Sequence, residues 1–289
     1  MIQLILAPLN LGCCKPGPEL APVIEATMFR EMAEGRVRQE DLSVASPSVS
    51  GFPSVIWKDN MKFPDEVADH SARLAEACSR TLENGDFPII LGGDHAVSWG
   101  SIAGIHSFYK DLSVIYIDAH GDCNTAESSP TGNIHGMHMA FLMGLGDKKP
   151  HGFSSVNKLD LDNIMYLGAR SLDSFEKELL KDAAVYTSED INTSIEDVLG
   201  SVAKFTDDRK HVHLSIDVDV LDPEVSPGTG VPESGGIGLE SLCRLLEVIG
   251  RSRKVVSIDL VEYNRLLDKD AKSYECVRRI LNDIAKFVL

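Results

Sequence analysis

Six short apolar runs recur along the chain, and each ends in polar or glycine residues. They cover residues 2–7, 88–91, 112–117, 164–167, 212–216 and 254–258. Several are apolar with almost no alternation, which is typical of strands that are buried on both faces of a parallel sheet. The pattern therefore predicts a central, mainly parallel sheet.

Helix-like stretches lie between the runs. The clearest covers residues 65–83, where Val67, Leu74, Cys78 and Leu82 fall near helical spacing, and the glycine at 85 gives a stop signal. Residues 239–249 and 274–289 show the same pattern. Alternating strands and helices predict an α/β fold, a three-layer α/β/α sandwich around the sheet. We find no internal repeat or linker, so we predict one domain over residues 1–289.

Composition and charge narrow the classes of partner. The chain has 289 residues, of which 43% are hydrophobic and 25% charged, an ordinary globular composition. Lys plus Arg total 28 and Asp plus Glu total 44, so the net charge is −16. This charge argues against nucleic acid or an anionic membrane as a partner, because both need a basic face. It suits a cationic substrate or metal ions only weakly, because a solvated acidic surface is the commoner cause of such a charge.

Cysteine usage and the N-terminus bear on location. Six cysteines, at positions 13, 14, 78, 123, 243 and 276, include no CxxC pair, which disfavours a structural zinc site and indicates reduced thiols in a cytosolic protein. No apolar run approaches the roughly 18 to 20 residues of a membrane span. The apolar N-terminus has no basic residue before Lys15, which is atypical of a signal peptide. We therefore expect a cytoplasmic protein.

Acidic residues and histidines gather where four of the predicted strands end. In open α/β sheets, ligands bind at the carboxyl ends of the strands. There the strands run into Gly92-Gly93-Asp94-His95, Asp118-Ala119-His120-Gly121-Asp122, Asp217-Val218-Asp219 and Asp259-Leu260-Val261-Glu262.

The spacing within these segments predicts metal binding. Side chains two apart on an extended backbone point the same way, so Asp118, His120 and Asp122 can face one point. Asp217 and Asp219 repeat the arrangement. Five or six ligands exceed what one ion needs, so we expect two ions. Such carboxylates could instead cap helices, but gathered together without cations they would repel one another. Carboxylates and imidazoles without a thiolate favour manganese over zinc, and the alternation turns Cys123 away as a packing residue.

Three segments resemble the signature motifs of the ureohydrolase family, which comprises arginases, agmatinases and relatives. They are residues 92–95, 118–122 and 215–223, and the similarity extends from Leu11 to Glu262 in family order. The resemblance implies an arginase-like fold, two Mn²⁺ per chain, and the metal ligands His95, Asp118, His120, Asp122, Asp217 and Asp219. It places His95, Asp118, Asp122 and Asp219 at one ion and its neighbour. It assigns His120 to the second ion, shared with Asp118, Asp122, Asp217 and Asp219 in a division that stays open.

The same resemblance implies a reaction. His135, within residues 132–136, matches the proton-shuttling histidine of the family, and Glu262 matches the acidic residue that receives the guanidinium. The implied mechanism is hydrolysis by a metal-bridging hydroxide, which Asp122 orients and deprotonates while His135 protonates the leaving amine. The products are urea and an amine. Arginases are usually trimers or hexamers, so we expect a homo-oligomer.

Five further residues bear on the substrate. In arginases an Asn and later hydroxyl residues receive the α-carboxylate, and here Asn124, Ser129 and Thr131 take those places. Asp173 and Glu176 match the pair that meets the α-ammonium. These matches favour L-arginine. A polar loop, or a helix N-cap with its capping box, would account for the same residues.

Departures from the arginase pattern keep other substrates open. Val231 stands where the family usually has Thr, His138 replaces a common Pro, and Tyr263 is bulkier than the usual neighbour of the acidic residue. The loop over residues 227–233 is somewhat agmatinase-like. The alternative is therefore hydrolysis of agmatine, guanidinobutyrate or a similar compound. The complete set of metal ligands argues against a binding protein without catalytic activity. The sequence also lacks the signals of the deacetylases that have a related fold and use a single zinc ion.

Overall fold

The computed structural model describes residues 1–33, 37–42, 54–155 and 157–288, and its largest element is an eight-stranded sheet. The sheet consists of β1 (Ile2–Ala7), β2 (Val37–Asp41), β5 (Phe87–Gly92), β6 (Leu112–Ile117), β7 (Ile164–Ala169), β8 (Ala184–Thr187), β9 (His211–Asp217) and β10 (Val255–Val261). Its spatial order is β2-β1-β5-β10-β9-β6-β7-β8, and every pair is parallel. Two short strands, β3 (Trp57–Lys58) and β4 (Met61–Lys62), form a separate antiparallel ribbon.

Helices cover both faces of the sheet. They are α1 (Ala21–Met32), α2 (Pro64–Glu83), α3 (Val97–Phe108), α4 (His138–Met143), α5 (Ser174–Leu179), α6 (Ser188–Asp207), α7 (Leu239–Arg251) and α8 (Lys272–Val288). One core packs α1, α6, α7 and α8 against the sheet, and a second packs α2, α3 and α4 against the other face. The predicted three-layer sandwich with a parallel sheet is confirmed.

Strand β6 illustrates why the central strands lack alternation. All six of its residues are buried. Ile115 and Ile117 belong to the core under α7 and α8, whereas Val114 and Tyr116 belong to the core under α2 and α3. Because both faces are covered, both sets must be largely apolar. The same alternation points the Tyr116 ring into the layer that also contains α4.

The predicted elements agree closely with the observed ones. All six apolar runs are strands, with β1 and β6 beginning and ending at the predicted residues. The helix predicted over 65–83 is α2, and that over 239–249 is α7. The helix predicted over 274–289 begins at Lys272, and its last predicted residue lies outside the described residues.

Two findings concern the cysteines and membrane-spanning segments. All six cysteines are free thiols, and five of them are buried. Within the described ranges, no helix combines the length and the apolar character that crossing a membrane requires.

Candidate metal centre and its cleft

Four adjacent strands, in the order β5-β10-β9-β6, carry the predicted site at their carboxyl ends. His95 follows β5, the segment 118–122 follows β6, Asp217 ends β9, and Glu262 follows β10. Parallel pairing aligns these ends at one edge. The arrangement therefore gathers side chains that are up to 167 residues apart in the chain.

The first group of potential metal ligands surrounds the imidazole of His95. Its Nδ1 lies 2.8 Å from Asp118 Oδ2, 3.1 Å from Asp217 Oδ2 and 3.3 Å from Asp122 Oδ2. His95, Asp118 and Asp217 are almost fully buried, and they form one of the sets whose atoms could hold an ion.

The second group surrounds His120. Its Nδ1 lies 3.1 Å from Asp219 Oδ2 and 3.4 Å from Asp118 Oδ1, and the three residues form another potential ion-binding set. Asp118 thus presents one oxygen to each group, as a bridging carboxylate would. The Asp219 carboxylate faces His120, which is one of the divisions that the resemblance left open.

Tight turns, and not extended chain, bring these side chains together. Strand β6 ends at Ile117, and Asp118 Oδ1 accepts the His120 N–H at 2.6 Å. Asp122 has a left-handed φ of 49°. After β9, Asp217 Oδ1 accepts the Asp219 N–H at 2.7 Å in a 3-10 turn. The predicted convergence is present, but its expected cause, alternation along extended backbone, is wrong at both segments, because the carboxylates bond their own backbone two residues on.

The centre strongly favours positive charge. Burial alone lowers the pKa of His95, but hydrogen bonds to Asp118, Asp122 and Asp217 outweigh it and hold that pKa well above its usual value. Burial raises the pKa of Asp217 far above its usual value, and the nearby charges of Asp219 and Asp118 raise it further. Gathered carboxylates that resist ionisation are stabilised when a cation is bound between them.

A buried polar network beneath the centre fixes the ring of His95. Its Nε2 lies 2.9 Å from Ser215 Oγ. Burial alone would raise the pKa of the neighbouring Asp259, but the charge and hydrogen bond of His213 outweigh it and hold that pKa below its usual value. Asp259 Oδ2 also accepts from Ser98 and Ser101 and lies 2.9 Å from His213 Nε2. Ser215 Oγ can accept from Nε2 of His95, and in a neutral ring this leaves Nδ1 with the lone pair that a metal ion requires.

These contacts test whether the residues fit a metal ion. His95 Nδ1 faces three carboxylate oxygens within 3.3 Å, and a single proton on this nitrogen can serve only one of them fully. Buried acceptors without donors are costly unless a cation satisfies them. Carboxylate oxygens and imidazole nitrogens are also the ligands that divalent ions such as Mn²⁺ accept. The residues fit the implied metal.

A cleft of about 450 Å³ opens over the centre. Its lining includes every other predicted site residue: Asn124, Ser129, Thr131, His135, Asp173, Glu176 and Glu262, together with Val231 and Glu233. Tyr263 does not line it, since this side chain is buried with its hydroxyl 3.2 Å from Asp268. A second cavity of about 550 Å³, lined by Phe87, Val255 and Phe287 among others, contains none of the predicted site residues.

His135 and Glu262 are joined in the cleft. His135 Nδ1 lies 2.9 Å from Glu262 Oε1, which also accepts the His95 N–H. Glu262 Oε2 is buried and has no partner in the described ranges. One oxygen of Glu262 thus anchors the carboxylate, and the other is free to accept from a ligand in the cleft.

The residues predicted to hold the substrate backbone are connected to one another. Asn124 Nδ2 donates to Asp173 Oδ2 at 2.7 Å. Ser129 accepts the Gly132 N–H and Thr131 accepts the Asn133 N–H, so each hydroxyl keeps a proton to donate. These positions form one polar wall of the cleft.

Asp173 and Glu176 also form a helix capping box. Asp173 Oδ1 accepts the Glu176 N–H at the start of α5, and Glu176 Oε2 accepts the Asp173 N–H. Burial, followed by the charge of Asp122, raises the pKa of Glu176 to about 7. The alternative capping role is therefore present, and both residues line the cleft at the same time.

Sequence reasoning assigned no function to three residues of the site. Tyr116 donates to Asp122 Oδ2 at 2.7 Å, and His138 Nε2 lies 3.0 Å from the Tyr116 hydroxyl. Arg170 donates to the carbonyl groups of Asp219 and Glu233. His138 could have been noticed in the sequence, because it replaces a proline that is common in the family. Tyr116 and Arg170 gave no such signal, because their contacts depend on the tertiary fold.

Comparisons with known proteins agree with this geometry. Residues 1–285 match the Arginase family. A curated arginase of Staphylococcus aureus (strain COL) is 36% identical over 285 residues, covering 95% of this chain and 93% of the relative. The crystal structure of Entamoeba histolytica arginase with L-ornithine matches with a TM-score of 0.88 and 29% identity, covering 98% of each chain. A putative agmatinase from Clostridium difficile, at 19% identity and a TM-score of 0.76, covers 99% of this chain and 96% of its own and shows the shared fold alone.

A parallel α/β sandwich with histidines and carboxylates at its strand ends defines the general class. The chain belongs to the arginase family. It is a hydrolase of the amidinohydrolase type.

Proposed function

We propose that this protein hydrolyses the guanidinium group of L-arginine to L-ornithine and urea, with two Mn²⁺ ions per chain. The observation that carries the proposal is that six potential metal ligands gather beneath one cleft, which Glu262 and the polar wall around Asn124 also line. An unpartnered Glu262 oxygen suits a planar cation, and the wall around Asn124 and Asp173 suits an amino-acid head group.

The ligands divide between two positions. His95, Asp118 and Asp217 would hold one ion, and Asp118, His120 and Asp219 the other, with Asp122 beside His95. When bound, such ions lower the pKa of water so that a nucleophile forms near neutral pH. Asp118 has the two oxygens needed to serve both positions.

The protein's own residues would bind and orient the substrate. Glu262 Oε2 accepts from the guanidinium, while the hydroxyls of Ser129 and Thr131 donate to the α-carboxylate. Asn124 completes that contact, and Asp173 and Glu176 accept from the α-ammonium. Fixing both ends of the substrate places its central carbon over the centre, a positioning effect that contributes greatly to rate.

Proton transfer would fall to His135 and Asp122. Asp122 lines the cleft and can accept a proton from the attacking water. His135 Nδ1 is tied to Glu262, which leaves Nε2 to deliver a proton to the leaving amine. The charge of Glu262 helps keep His135 protonated, as a proton donor requires.

Support for arginine comes from the relatives. The similar S. aureus protein is named arginase, and the E. histolytica arginase structure holds L-ornithine, the product expected here. We further propose that residues 1–289 form one catalytic domain, that the protein is cytoplasmic, and that it assembles into trimers or hexamers.

Agmatine hydrolysis is the second candidate. Val231 lines the cleft where a hydroxyl residue is usual, and Asp173 already bonds Asn124 and the start of α5. If Asn124 and Asp173 only stabilise the fold, the substrate does not need an α-carboxylate to bind. The Glu262 end of the cleft would serve agmatine equally well.

The test is urea release from arginine, agmatine and guanidinobutyrate by protein reconstituted with Mn²⁺. We expect arginine to be preferred strongly, and we expect chelation to abolish turnover and Mn²⁺ to restore it. Equal or better turnover of agmatine would show that agmatine, and not arginine, is the substrate. Full activity in a sample that elemental analysis shows to be metal-free would refute the metal centre.

A further inference from the structure

A third set of potential metal ligands lies beside the two already described. His95, Asp122 and His138 each place one ligand atom within 4.8 Å of the others. His138 lies outside the three motifs and is fully buried at the start of α4. This set therefore adds a histidine that the six motif ligands do not include.

The tautomer of His138 follows from its surroundings. Its Nδ1 lies 2.7 Å from the carbonyl oxygen of His135, which can only accept a hydrogen bond. Nδ1 must therefore carry a proton and donate it. A neutral His138 then presents a lone pair at Nε2, the atom that points toward His95 and Asp122.

One hydroxyl group stands among the three ligand atoms. The Tyr116 hydroxyl lies 2.7 Å from Asp122 Oδ2, 3.0 Å from His138 Nε2 and 3.1 Å from His95 Nδ1. A phenol has one proton to donate, and Tyr116 donates it to Asp122. The phenol cannot also satisfy the lone pair of the buried His138 Nε2, and a cation beside that nitrogen would satisfy it.

The distances suit coordination of a single ion. Ligand atoms that surround one divalent ion at about 2.0 to 2.2 Å are themselves about 3 to 4.4 Å apart. His95 Nδ1 lies 3.3 Å from Asp122 Oδ2, which agrees with this spacing, and the His138 ligand atom lies within 4.8 Å of both. His95 Nδ1 can give its lone pair to one ion only, and Asp122 and His138 are the potential ligands beside that ion in the third set.

We propose that His138 is an additional ligand of the ion that His95 binds, supplied through its Nε2. This inference rests on the metal centre of the proposed function. It gives that ion a second imidazole donor. Imidazole favours cobalt and other later first-row ions over manganese, so His138 shifts the preference of this position toward them.

The experiment compares wild type with His138→Asn and Tyr116→Phe, each loaded with Mn²⁺ or Co²⁺. Asparagine keeps a donor near the position of Nδ1, facing the His135 carbonyl, and removes Nε2. In His138→Asn the visible absorption of one Co²⁺ ion should change, and the affinity ratio of Co²⁺ to Mn²⁺ at that position should fall at least about tenfold. Tyr116→Phe is the matched control and should keep the wild-type spectrum, because it removes the hydroxyl and leaves Nε2.

A measurement on wild type guards against a variant that fails to fold. With ¹⁵N-labelled histidine and bound Co²⁺, three of the nine histidines should show coordinated, hyperfine-shifted nitrogens. Only two shifted histidines, an unchanged spectrum in His138→Asn, or identical changes in both variants would overturn the proposal. If wild type binds two ions and releases urea, such a result leaves the proposed function intact. If wild type binds no ion, the metal centre itself is refuted.

Discussion

His135 Nδ1 and Glu262 Oε1 lie 2.9 Å apart, so the proposed proton shuttle and the proposed guanidinium receptor are one hydrogen-bonded unit. Burial lowers the pKa of His135, but the hydrogen bond and charge of Glu262 outweigh burial and raise it. Protonated His135 therefore stabilises the fold below its unfolded pKa of about 6.5. That contribution is lost as pH rises through the folded value.

Glu262→Gln tests this coupling. Glutamine keeps the shape of the side chain but removes its charge, so the pKa of His135 should fall. An NMR titration of the imidazole in metal-free protein measures the change directly. The pH range in which His135 stabilises the fold should contract from its alkaline end. An unchanged titration curve would show that Glu262 does not control the protonation of His135.

Replacement of the shuttle itself should separate chemistry from metal binding. His135→Asn should lower kcat by roughly ten- to ten-thousand-fold, the usual range for an acid–base group. The metal content should not change, because His135 belongs to none of the ligand sets in the described residues. Elemental analysis is the control, and loss of an ion would show that His135 is a ligand.

Asp219→Asn should act much more strongly on the metal-loaded protein than on the metal-free protein. Without metal, the charge of Asp219 repels Asp217 and attracts the imidazole of His120. Its removal changes two opposing interactions, so the melting temperature should shift little. With Mn²⁺ it removes a ligand from the His120 side, so the stabilisation by metal should shrink together with activity. Thermal unfolding with and without chelator measures both arms, and an equal shift in both would contradict the metal centre.

Arg170 holds the Asp219 turn and the loop that carries Glu233. Its guanidinium donates to the carbonyl groups of Asp219 at 2.7 Å and Glu233 at 2.8 Å, and also to those of Gly168 and Val220. Lysine cannot span these acceptors, because its charge lies on a single nitrogen. Arg170→Lys should therefore lower the free energy of unfolding by about 1 to 3 kcal/mol.

The same variant should weaken metal binding, because the turn that carries Asp219 loses its support. Denaturant unfolding and Mn²⁺ titration measure the two effects. Arg209→Lys is the matched control, since that arginine donates to the Asp162 carbonyl at an exposed position and should change stability by less than about 0.5 kcal/mol. Equal losses of stability and of Mn²⁺ affinity in the two variants would show that the contacts of Arg170 do not support the metal centre.

Burial explains which parts of the fold the sequence predicts. Strands covered on both faces are apolar throughout and were predicted, whereas the edge strands β2 and β8 were not. The β2 sequence, Val-Arg-Gln-Glu-Asp, is half exposed and carries charge. Helix α3 was missed for the opposite reason, because nearly all of its residues are buried and it has no polar face to reveal its period.

Chemistry explains which parts of the site could be predicted. Side chains that bind metal must be His, Asp or Glu, so the six motif residues could be named without knowing how the chain turns. The division of the Asp118 oxygens between His95 and His120 depends on hydrogen bonds that no spacing encodes. The contact of Tyr116 with His138 joins residues 22 apart through the packing of α4 on the sheet, and only the tertiary structure shows it.

Asp173 has two roles that mutation can separate. Its Oδ1 accepts the N–H groups of Phe175 and Glu176 at the start of α5, and its Oδ2 accepts from Asn124 in the cleft wall. Alanine removes both the helix cap and the carboxylate, at a cost of about 0.5 to 2 kcal/mol in stability. Serine is as good a helix cap as aspartate but has no charge. Asp173→Ser should therefore keep the stability of wild type.

If Asp173 binds the α-ammonium of arginine, Asp173→Ser should raise KM for arginine nearly as much as Asp173→Ala does. Wild type should prefer arginine over agmatine by roughly thirty- to several-thousand-fold in kcat/KM, because agmatine leaves the head-group residues without their charged partner, a penalty of about 2 to 5 kcal/mol. Agmatine turnover should change little in either variant, because agmatine has no α-ammonium to lose. Urea release from both substrates, with thermal unfolding of each variant, decides between the roles. The opposite result is that Asp173→Ser shows normal arginine kinetics while Asp173→Ala is only less stable. That result would show that Asp173 serves only as a helix cap.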